Sequence, residues 1–121
     1  MKKILVVDDQ PTIRRLVEIS LRSPDRQILE ADSGEKAIEV AVADKPDLII
    51  MDLMMPGGMD GFQAVEILKA NPATRECPVL VLTAKDQKSE RLRAFEVGAG
   101  DYLAKPFKLE SLVRKVENLL S

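Results

Sequence analysis

The sequence predicts an α/β protein with a parallel β-sheet that is covered by helices on both faces. Short apolar runs rich in Val, Ile and Leu alternate five times with helical patterns along the 121 residues, and such runs are typical of buried parallel strands. Five β-α units of this length favour right-handed crossovers within one sheet. The predicted strands are Lys3–Val7, Gln27–Ala31, Leu48–Met51, Val79–Leu82 and Tyr102–Ala104.

The first two helices are predicted from apolar spacing and from their start signals. Pro11 suits the first turn of the first helix, and Ser33 is the predicted N-cap of the second. The second helix stops before Lys45-Pro46-Asp47, because proline disfavours a helical conformation in the preceding residue. The predicted inner faces comprise Ile13, Leu16, Val17, Ser20 and Leu21 in the first helix and Ala37, Ile38, Ala41 and Val42 in the second.

Three further helices follow in the second half of the chain. The third runs from about Phe62 to Ala70 and ends at Asn71-Pro72, and the fourth runs from about Gln87 to Val97 and ends at Gly98, a favoured C-terminal cap residue. The last helix carries Leu109, Leu112, Val113, Val116, Leu119 and Leu120 at helical spacing. The basic residues Arg14, Arg15, Lys88, Arg91 and Arg93 are interpreted as solvated helix faces.

Composition limits the possible functions. The length suits one domain over residues 1–121, and the formal charge of -2 gives no general attraction to nucleic acid or to an anionic membrane. No apolar stretch reaches membrane-spanning length, and the single cysteine, Cys77, cannot form an internal disulfide. We therefore expect a cytoplasmic domain. The absence of histidine excludes histidine-based catalysis and histidine metal ligation.

Polar residues follow all five predicted strands, but we expect Asp32, after the second strand, to lie at the outer edge of the sheet and away from the other four sets. Asp8 and Asp9 follow the first, Asp52 the third, Thr83 the fourth and Lys105 the fifth. The carboxyl ends of parallel strands meet at one sheet edge, where ligands bind in this class of fold. Each residue alone has an ordinary explanation as part of a turn or a strand end. Together they predict an acidic pocket that needs a hard divalent cation, because closely packed carboxylates do not all stay ionised without one.

These residues also carry a resemblance to a known family. The chain resembles the receiver domains of two-component response regulators, close to the single-domain chemotaxis type. The matching motifs are Asp8-Asp9, Asp52, Met55-Pro56 followed by Met59-Asp60-Gly61, Thr83-Ala84, and Tyr102 through Lys105-Pro106-Phe107. The resemblance implies a flavodoxin-like (βα)5 three-layer sandwich with strand order 2-1-3-4-5.

The resemblance further implies a chemical role for each acid. Asp52 would be the phosphoryl acceptor and would form an acyl phosphate. Asp9 and Asp52 would coordinate Mg²⁺ (or Mn²⁺) directly, together with the backbone carbonyl of Met54. Asp8 would act mostly through a metal-bound water.

The remaining motifs would bind the phosphoryl group and change conformation when it is bound. Lys105 would pair with a phosphoryl oxygen, and the Thr83 hydroxyl and the Ala84 backbone N–H would donate hydrogen bonds to it. Thr83 would then move, Tyr102 would swing inward, and the surface of the fourth helix, fifth strand and fifth helix would change shape. On this reading the protein is a phosphoacceptor that assists its own phosphorylation and dephosphorylation, and it is not an enzyme.

The implied partners are a sensor histidine kinase or histidine phosphotransfer protein, and a downstream protein target or a missing effector domain. Direct contact of this domain with nucleic acid or membrane is not expected. One alternative is a Mg²⁺-dependent aspartyl-phosphate phosphohydrolase, which Gln10 disfavours because haloacid-dehalogenase-like phosphatases place an acid two residues after the nucleophile. Another is that the chain is the receiver half of a larger regulator.

The loop after Asp52 departs from the family pattern. Two residues, Gly57 and Gly58, separate the proline and the methionine of the loop, where one is usual. Met54 and Lys85 occupy the two positions at which family members tune the lifetime of the acyl phosphate. An apolar Met54 should obstruct the attacking water, so we expect a phosphoryl half-life of minutes or more.

Overall fold

The computed structural model describes residues 1–84 and 87–121. In this part of the chain five strands alternate with five helices along the sequence. They are β1 (Lys2–Val7), α1 (Pro11–Leu21), β2 (Arg26–Ala31), α2 (Gly34–Asp44), β3 (Leu48–Asp52), α3 (Gly61–Ala70), β4 (Val79–Thr83), α4 (Lys88–Glu96), β5 (Asp101–Ala104) and α5 (Leu109–Leu120).

The sheet has the predicted topology. All neighbouring strands are parallel, in the order β2-β1-β3-β4-β5. Alternate strand residues enter two separate apolar clusters, one shared with α2, α3 and α4 and the other with α1 and α5. The fold is therefore the three-layer, flavodoxin-like sandwich that the resemblance implied.

Each strand is one residue longer than predicted, and two of the additions matter for the site. β3 includes Asp52, which pairs with Leu82, and β4 includes Thr83, which pairs with Ala104. These two strands were predicted to end at their last apolar residue. The hydrogen bonds between strands join backbone groups whatever the side chain, so a polar residue can extend a strand. Asp52 and Thr83 are consequently held in the sheet and not in a loop.

The predicted helix ends are close to the observed ones. Pro11 begins α1, and the Ser33 hydroxyl accepts a hydrogen bond from Lys36 N at 3.1 Å, as an N-cap residue does. α2 ends at Asp44, directly before Lys45. Gly98 follows the end of α4 with φ +113°, a conformation that glycine adopts most readily.

The prediction that three apolar residues lie on inner helix faces is wrong. Leu16, Val42 and Leu109 are 41%, 41% and 44% exposed. Each lies at the margin of the apolar face of its helix. That face is wider than the part of the helix surface that contacts the sheet, so residues at its margin stay exposed. The buried apolar side chains of α1 and α5 are Val17, Leu21, Leu112 and Val116.

Two further features concern the environment of the chain. Cys77 is half-buried, and burial raises the pKa of its thiol to about 11, so the thiol stays protonated at neutral pH. Among residues 1–84 and 87–121, no helix combines the length and apolarity that a membrane crossing requires.

Candidate functional site

The carboxyl ends of the strands enclose a cleft at one edge of the sheet. Asp8 and Asp9 follow β1, Asp52 ends β3, Thr83 ends β4 and Lys105 follows β5. The cleft has a volume of about 370 Å³ and is lined by Asp9, Gln10, Asp52, Met54, Pro56, Ala84 and Lys105. Topology thus brings residues 97 positions apart in sequence into direct contact.

Three carboxylates converge in this cleft. One ligand oxygen each from Asp8, Asp9 and Asp52 can be chosen so that all three lie within 4.8 Å of one another. Asp8 and Asp52 are buried, at 0% and 2% exposure, whereas Asp9 is partly exposed. Three hard oxygen donors at this separation suit Mg²⁺ or Mn²⁺, and a divalent cation would offset a cluster of negative charge that one lysine balances only in part.

Lys105 is the cation that the described residues supply to these acids. Its Nζ lies 2.8 Å from Asp8 Oδ2 and 3.5 Å from Asp52 Oδ1. Burial alone would lower the pKa of Lys105, but the hydrogen bond to Asp8 and the charges of Asp52 and Asp8 outweigh it and raise that pKa. The backbone N–H of Lys105 donates to the Thr83 carbonyl at 2.7 Å, and the Lys105–Pro106 peptide bond is cis.

Asp52 is held in a state that is unusual for a carboxyl group. Burial and the neighbouring charge of Asp8 raise its pKa to about 6, although Lys105 and the Met54 N–H oppose the shift. Met54 N donates to Asp52 Oδ1 at 3.2 Å. Without a bound cation, the ionised form of Asp52 is therefore disfavoured by about 3 kcal/mol relative to an exposed aspartate.

Asp8 is fully engaged within the protein. Its Oδ1 accepts from Gln10 N at 2.9 Å, its Oδ2 accepts from Lys105 at 2.8 Å, and its own N–H donates to the Ala31 carbonyl at 3.2 Å. Asp9, in contrast, is partly exposed, and both Asp9 and Asp52 line the cleft. The arrangement is compatible with the indirect role that the resemblance implies for Asp8.

The other predicted site residues are divided between the cleft and the surface beside it. Thr83 is buried at the end of β4, next to Ala84, which lines the cleft. Tyr102 does not line the cleft: its hydroxyl accepts from Arg91 Nη1 of α4 at 2.8 Å, and its ring meets Phe95 edge-to-face at 6.0 Å. Lys85, one of the two positions linked to phosphoryl lifetime, lies outside the described residues.

Two arginines assigned to solvated faces have specific partners, so that interpretation is wrong for them. The Arg14 side chain is 18% exposed and donates to the Asp8 carbonyl at 2.7 Å and to Glu30 at 3.1 Å. Arg91 binds the Tyr102 hydroxyl. Arg15 and Lys88 are exposed as predicted, and Arg93 is exposed with its guanidinium 4.0 Å above the Phe62 ring centroid. Arg14 directly follows Ile13, at the edge of the apolar stripe of α1. This position in the sequence could have indicated that the Arg14 side chain contacts the protein and not only solvent.

The lengthened loop after Asp52 depends on its glycines. Gly57 and Gly58 have φ values of +74° and +126°, which favour glycine. A Cβ atom on Gly58 would lie 2.9 Å from Glu35 Oε2, at the start of α2. Gly61 packs against the end of β3, since a Cβ there would meet the Asp52 carbonyl and would lie 2.6 Å from Leu53 Cα, the next residue. The loop therefore packs closely between the end of β3 and the starts of α2 and α3.

Comparison with known proteins gives a consistent result. A family model described as the response regulator receiver domain matches residues 4–117. Protein PilH of Pseudomonas aeruginosa is 36% identical over 121 residues, which cover 100% of this chain and 99% of PilH. The structure of chemotaxis protein CheY4 of Vibrio cholerae superposes with a TM-score of 0.92 at 32% identity and covers 99% of both chains.

Other relatives are longer than this chain. The DNA-binding dual master transcriptional regulator RpaA of Synechocystis is 41% identical over 120 residues, which cover 99% of this chain and 49% of RpaA. The chain likewise covers 52% of the phosphate regulon transcriptional regulatory protein PhoB of Pseudomonas aeruginosa. It thus spans about half the length of several relatives that it matches.

Proposed function

Because this chain belongs to the family of response regulator receiver domains, which act in two-component phosphorelay signalling, we propose that Asp52 accepts a phosphoryl group from a histidine kinase or a histidine phosphotransfer protein. One observation carries the proposal: Asp52 ends the central strand at the cleft, 3.5 Å from Lys105 and next to two further carboxylates. Among residues 1–84 and 87–121, no other carboxylate that lines the cleft has both a position in a strand and a cationic neighbour at this distance.

The chemical step is a phosphoryl transfer between two protein side chains. A carboxylate oxygen of Asp52 attacks phosphorus, and the new O–P bond forms as the P–N bond of the phosphohistidine breaks. The electron pair of the P–N bond returns to the imidazole nitrogen of the donor. Positioning and charge neutralisation contribute most of the rate enhancement in such a transfer.

The residues of the cleft fit a divalent cation. Asp9 and Asp52 would hold Mg²⁺ with the Met54 carbonyl, and Asp8 would support it through a water molecule. When bound, the ion neutralises charge on the phosphoryl oxygens. It would also favour the ionised, nucleophilic form of Asp52, whose pKa of about 6 otherwise leaves a protonated fraction near neutral pH.

Lys105, Thr83 and Ala84 would bind the transferred group. Lys105 already contacts Asp52 and has a flexible stem, so it can exchange part of its contact with Asp8 for a phosphoryl oxygen. Thr83 and Ala84 follow one another at the end of β4. Hydroxyl and backbone N–H donors at this point are suited to phosphoryl oxygens.

We propose that Tyr102 transmits the change to the surface formed by α4, β5 and α5. Its ring lies beside the Arg91 guanidinium and Lys115 Nζ, at 5.4 and 5.5 Å from the ring centroid, and its hydroxyl binds Arg91. Inward movement must break these contacts. A complete switch needs about 5.5 kcal/mol of differential stabilisation, which a few charge-assisted hydrogen bonds of roughly 1.5–3 kcal/mol each could provide.

The wider role follows from the same assignment. We propose that residues 1–121 form one receiver domain that acts in the cytoplasm and contacts a downstream protein or an effector domain, and that it assists its own dephosphorylation without acting on other substrates. The half-length match to RpaA, which is named a transcriptional regulator, fits the receiver part of a longer protein, and the full-length match to PilH fits a single-domain regulator.

The central test uses a small phosphoryl donor. The protein is incubated with acetyl phosphate and Mg²⁺ and its intact mass is measured. We expect one phosphoryl adduct that is lost in Asp52→Asn and kept in Asp32→Asn, a matched control at an exposed acid of the same sheet edge. An adduct that persists in Asp52→Asn, or no adduct in the wild type, would contradict the assignment. Multiple turnover of p-nitrophenyl phosphate would instead favour a phosphohydrolase.

A further inference from the structure

We propose that Arg14 is a positioning residue that fixes the Asp8–Asp9 turn and thereby sets the affinity of the cleft for Mg²⁺. This inference rests on the proposed metal site. It adds a residue that lies outside the cleft lining and bears a positive charge, which by simple electrostatics would be expected to weaken cation binding.

The contacts of Arg14 join three elements around the turn. Its Nη1 donates to the Asp8 carbonyl at 2.7 Å, and its Nε donates to Glu30 Oε1 on β2 at 3.1 Å. Its backbone N–H donates to the Gln10 carbonyl at 3.2 Å, within the first turn of α1. The Arg14 side chain is 18% exposed and that of Glu30 is 50% exposed. Arg14, which contacts the turn, is therefore better shielded from solvent than Glu30.

The Asp8 carbonyl is an effective point from which to control Asp9. It belongs to the planar peptide unit that also contains the Asp9 nitrogen, so a fixed carbonyl fixes the direction in which Asp9 leaves the strand. On the other side of the turn, the Asp8 carboxylate is held by Gln10 and Lys105. With both sides of Asp8 restrained, Asp9 needs little reorganisation to ligate a cation.

The guanidinium group suits this task better than an ammonium group. Its donors are held in a rigid plane, so that one bond to Glu30 orients the other toward the carbonyl. A lysine could reach one acceptor but would not couple the two. Arg14→Lys therefore keeps the charge and removes the coupling.

The sign of the effect separates positioning from charge. If Arg14 positions the turn, Arg14→Ala weakens cation binding; if it acts only through its charge, the same change strengthens binding because a nearby positive charge has been removed. For Arg14→Lys, a pure charge effect predicts no change, and positioning predicts an affinity between those of the wild type and Arg14→Ala.

The test measures Mn²⁺ binding to the full chain from the electron paramagnetic resonance signal of the free ion, with Mg²⁺ as competitor. We expect the Kd to rise about 10- to 100-fold in Arg14→Ala, the range seen when groups that orient a metal ligand are removed. The exposed neighbour provides the matched control, and Arg15→Ala should leave the Kd unchanged within error.

Each outcome has a distinct meaning. A Kd in Arg14→Ala equal to or lower than that of the wild type would overturn the inference while leaving the metal site intact. Absence of Mn²⁺ binding in the wild type would instead overturn the proposed metal site. Should Arg14→Ala fail to fold by circular dichroism, Arg14→Lys decides the question, because it keeps both the charge and the side-chain stem: a raised Kd supports positioning, and an unchanged Kd would overturn the inference.

Discussion

Lys105 Nζ lies closer to Asp8, at 2.8 Å, than to Asp52, at 3.5 Å. The lysine is therefore mainly the partner of Asp8, the most deeply buried of the three acids. Its electrostatic attraction to Asp52, the proposed acceptor, is weaker because the distance is longer. Lys105 therefore serves the stability of the cluster as well as the proposed chemistry, and the two roles can be measured separately.

Lys105→Met should destabilise the metal-free protein. The change leaves two buried carboxylates without their cation, and removal of one partner from a buried ion pair costs roughly 3–5 kcal/mol. Chemical denaturation in EDTA measures the loss, and Lys108→Met, at an exposed position nearby, is the control. Mg²⁺ should recover more stability in Lys105→Met than in the wild type, because the uncompensated charge attracts the cation. Equal stability of the two variants would refute the role of Lys105 in the cluster.

Asp52→Asn should stabilise the metal-free protein at neutral pH. The folded pKa of Asp52, about 6, lies above the ordinary value of 3.8, so the folded state binds the additional proton between these values and stability falls as pH rises through them. Asparagine removes the buried charge, with a gain on the order of 1–3 kcal/mol above about pH 6.

The pH dependence identifies the cause of that gain. It should fade between about pH 6 and pH 4, where wild-type Asp52 becomes protonated in the folded state. Denaturation curves in EDTA at both ends of this window provide the measurement. A gain of equal size at both ends would show that packing, and not charge, is responsible.

Met54→Asn should shorten the life of the acyl phosphate. Met54 is 43% exposed, lines the cleft, and its N–H binds Asp52. A polar amide in place of the thioether can orient water toward phosphorus, and a change of about tenfold corresponds to about 1.4 kcal/mol in the barrier. The decay of the adduct after removal of acetyl phosphate, followed by intact mass, tests this. A wild-type half-life of seconds that Met54→Asn leaves unaltered would show the hypothesis to be wrong.

Arg91→Ala should release Tyr102 from its outward position. Tyr102 is the only tyrosine and the chain has no tryptophan, so tyrosine fluorescence reports on this one side chain. We expect the emission of the unphosphorylated variant to move toward that of the phosphorylated wild type, because the hydrogen bond and the cation–π contact have been removed. Arg93→Ala, an exposed position on the same helix, is the control. Identical spectra before and after the Arg91→Ala change would exclude this restraint.

Gly58→Ala should be more destabilising than Gly57→Ala. Both glycines have positive φ, which costs roughly 1–3 kcal/mol for other residues. Only at Gly58 would the added methyl group also meet a side chain, that of Glu35, whereas open space surrounds Gly57. Thermal denaturation of the two variants gives the comparison, and Gly58→Ala in a Glu35→Ala background should recover part of the difference. No difference between the single variants would argue against the Glu35 contact.

The sheet and the cleft were predictable because both depend on position along a strand. Apolar runs fix the strands, and a residue that directly follows a buried parallel strand must lie at the ligand-binding edge. Strand ends alone therefore identify Asp8, Asp9, Asp52, Thr83 and Lys105, whatever the conformation of their side chains.

Contacts that depend on side-chain direction were not predictable in this way. Arg14 and Arg15 are adjacent and chemically identical, yet one reaches back to Asp8 and the other points to solvent. Successive side chains point in directions about 100° apart around α1, so only one of the two arginines faces the turn. That arginine also meets Glu30 of β2, a contact that the spacing within the helix does not indicate. Arg91 likewise finds Tyr102 only because α4 packs beside β5.

The strand order places β3, which ends in Asp52, at the centre of the sheet and β5, which carries Tyr102, at its rim. All five residues of β3 are buried, whereas β5 has only Leu103 buried and the described residues of α4 only Ala94. Local opening of the backbone requires the loss of buried contacts, so amide protons should exchange slowly in β3 and much faster in β5 and α4. The proposed covalent change would therefore occur where the backbone resists opening, and its proposed effect would reach elements whose conformations a small free energy can redistribute.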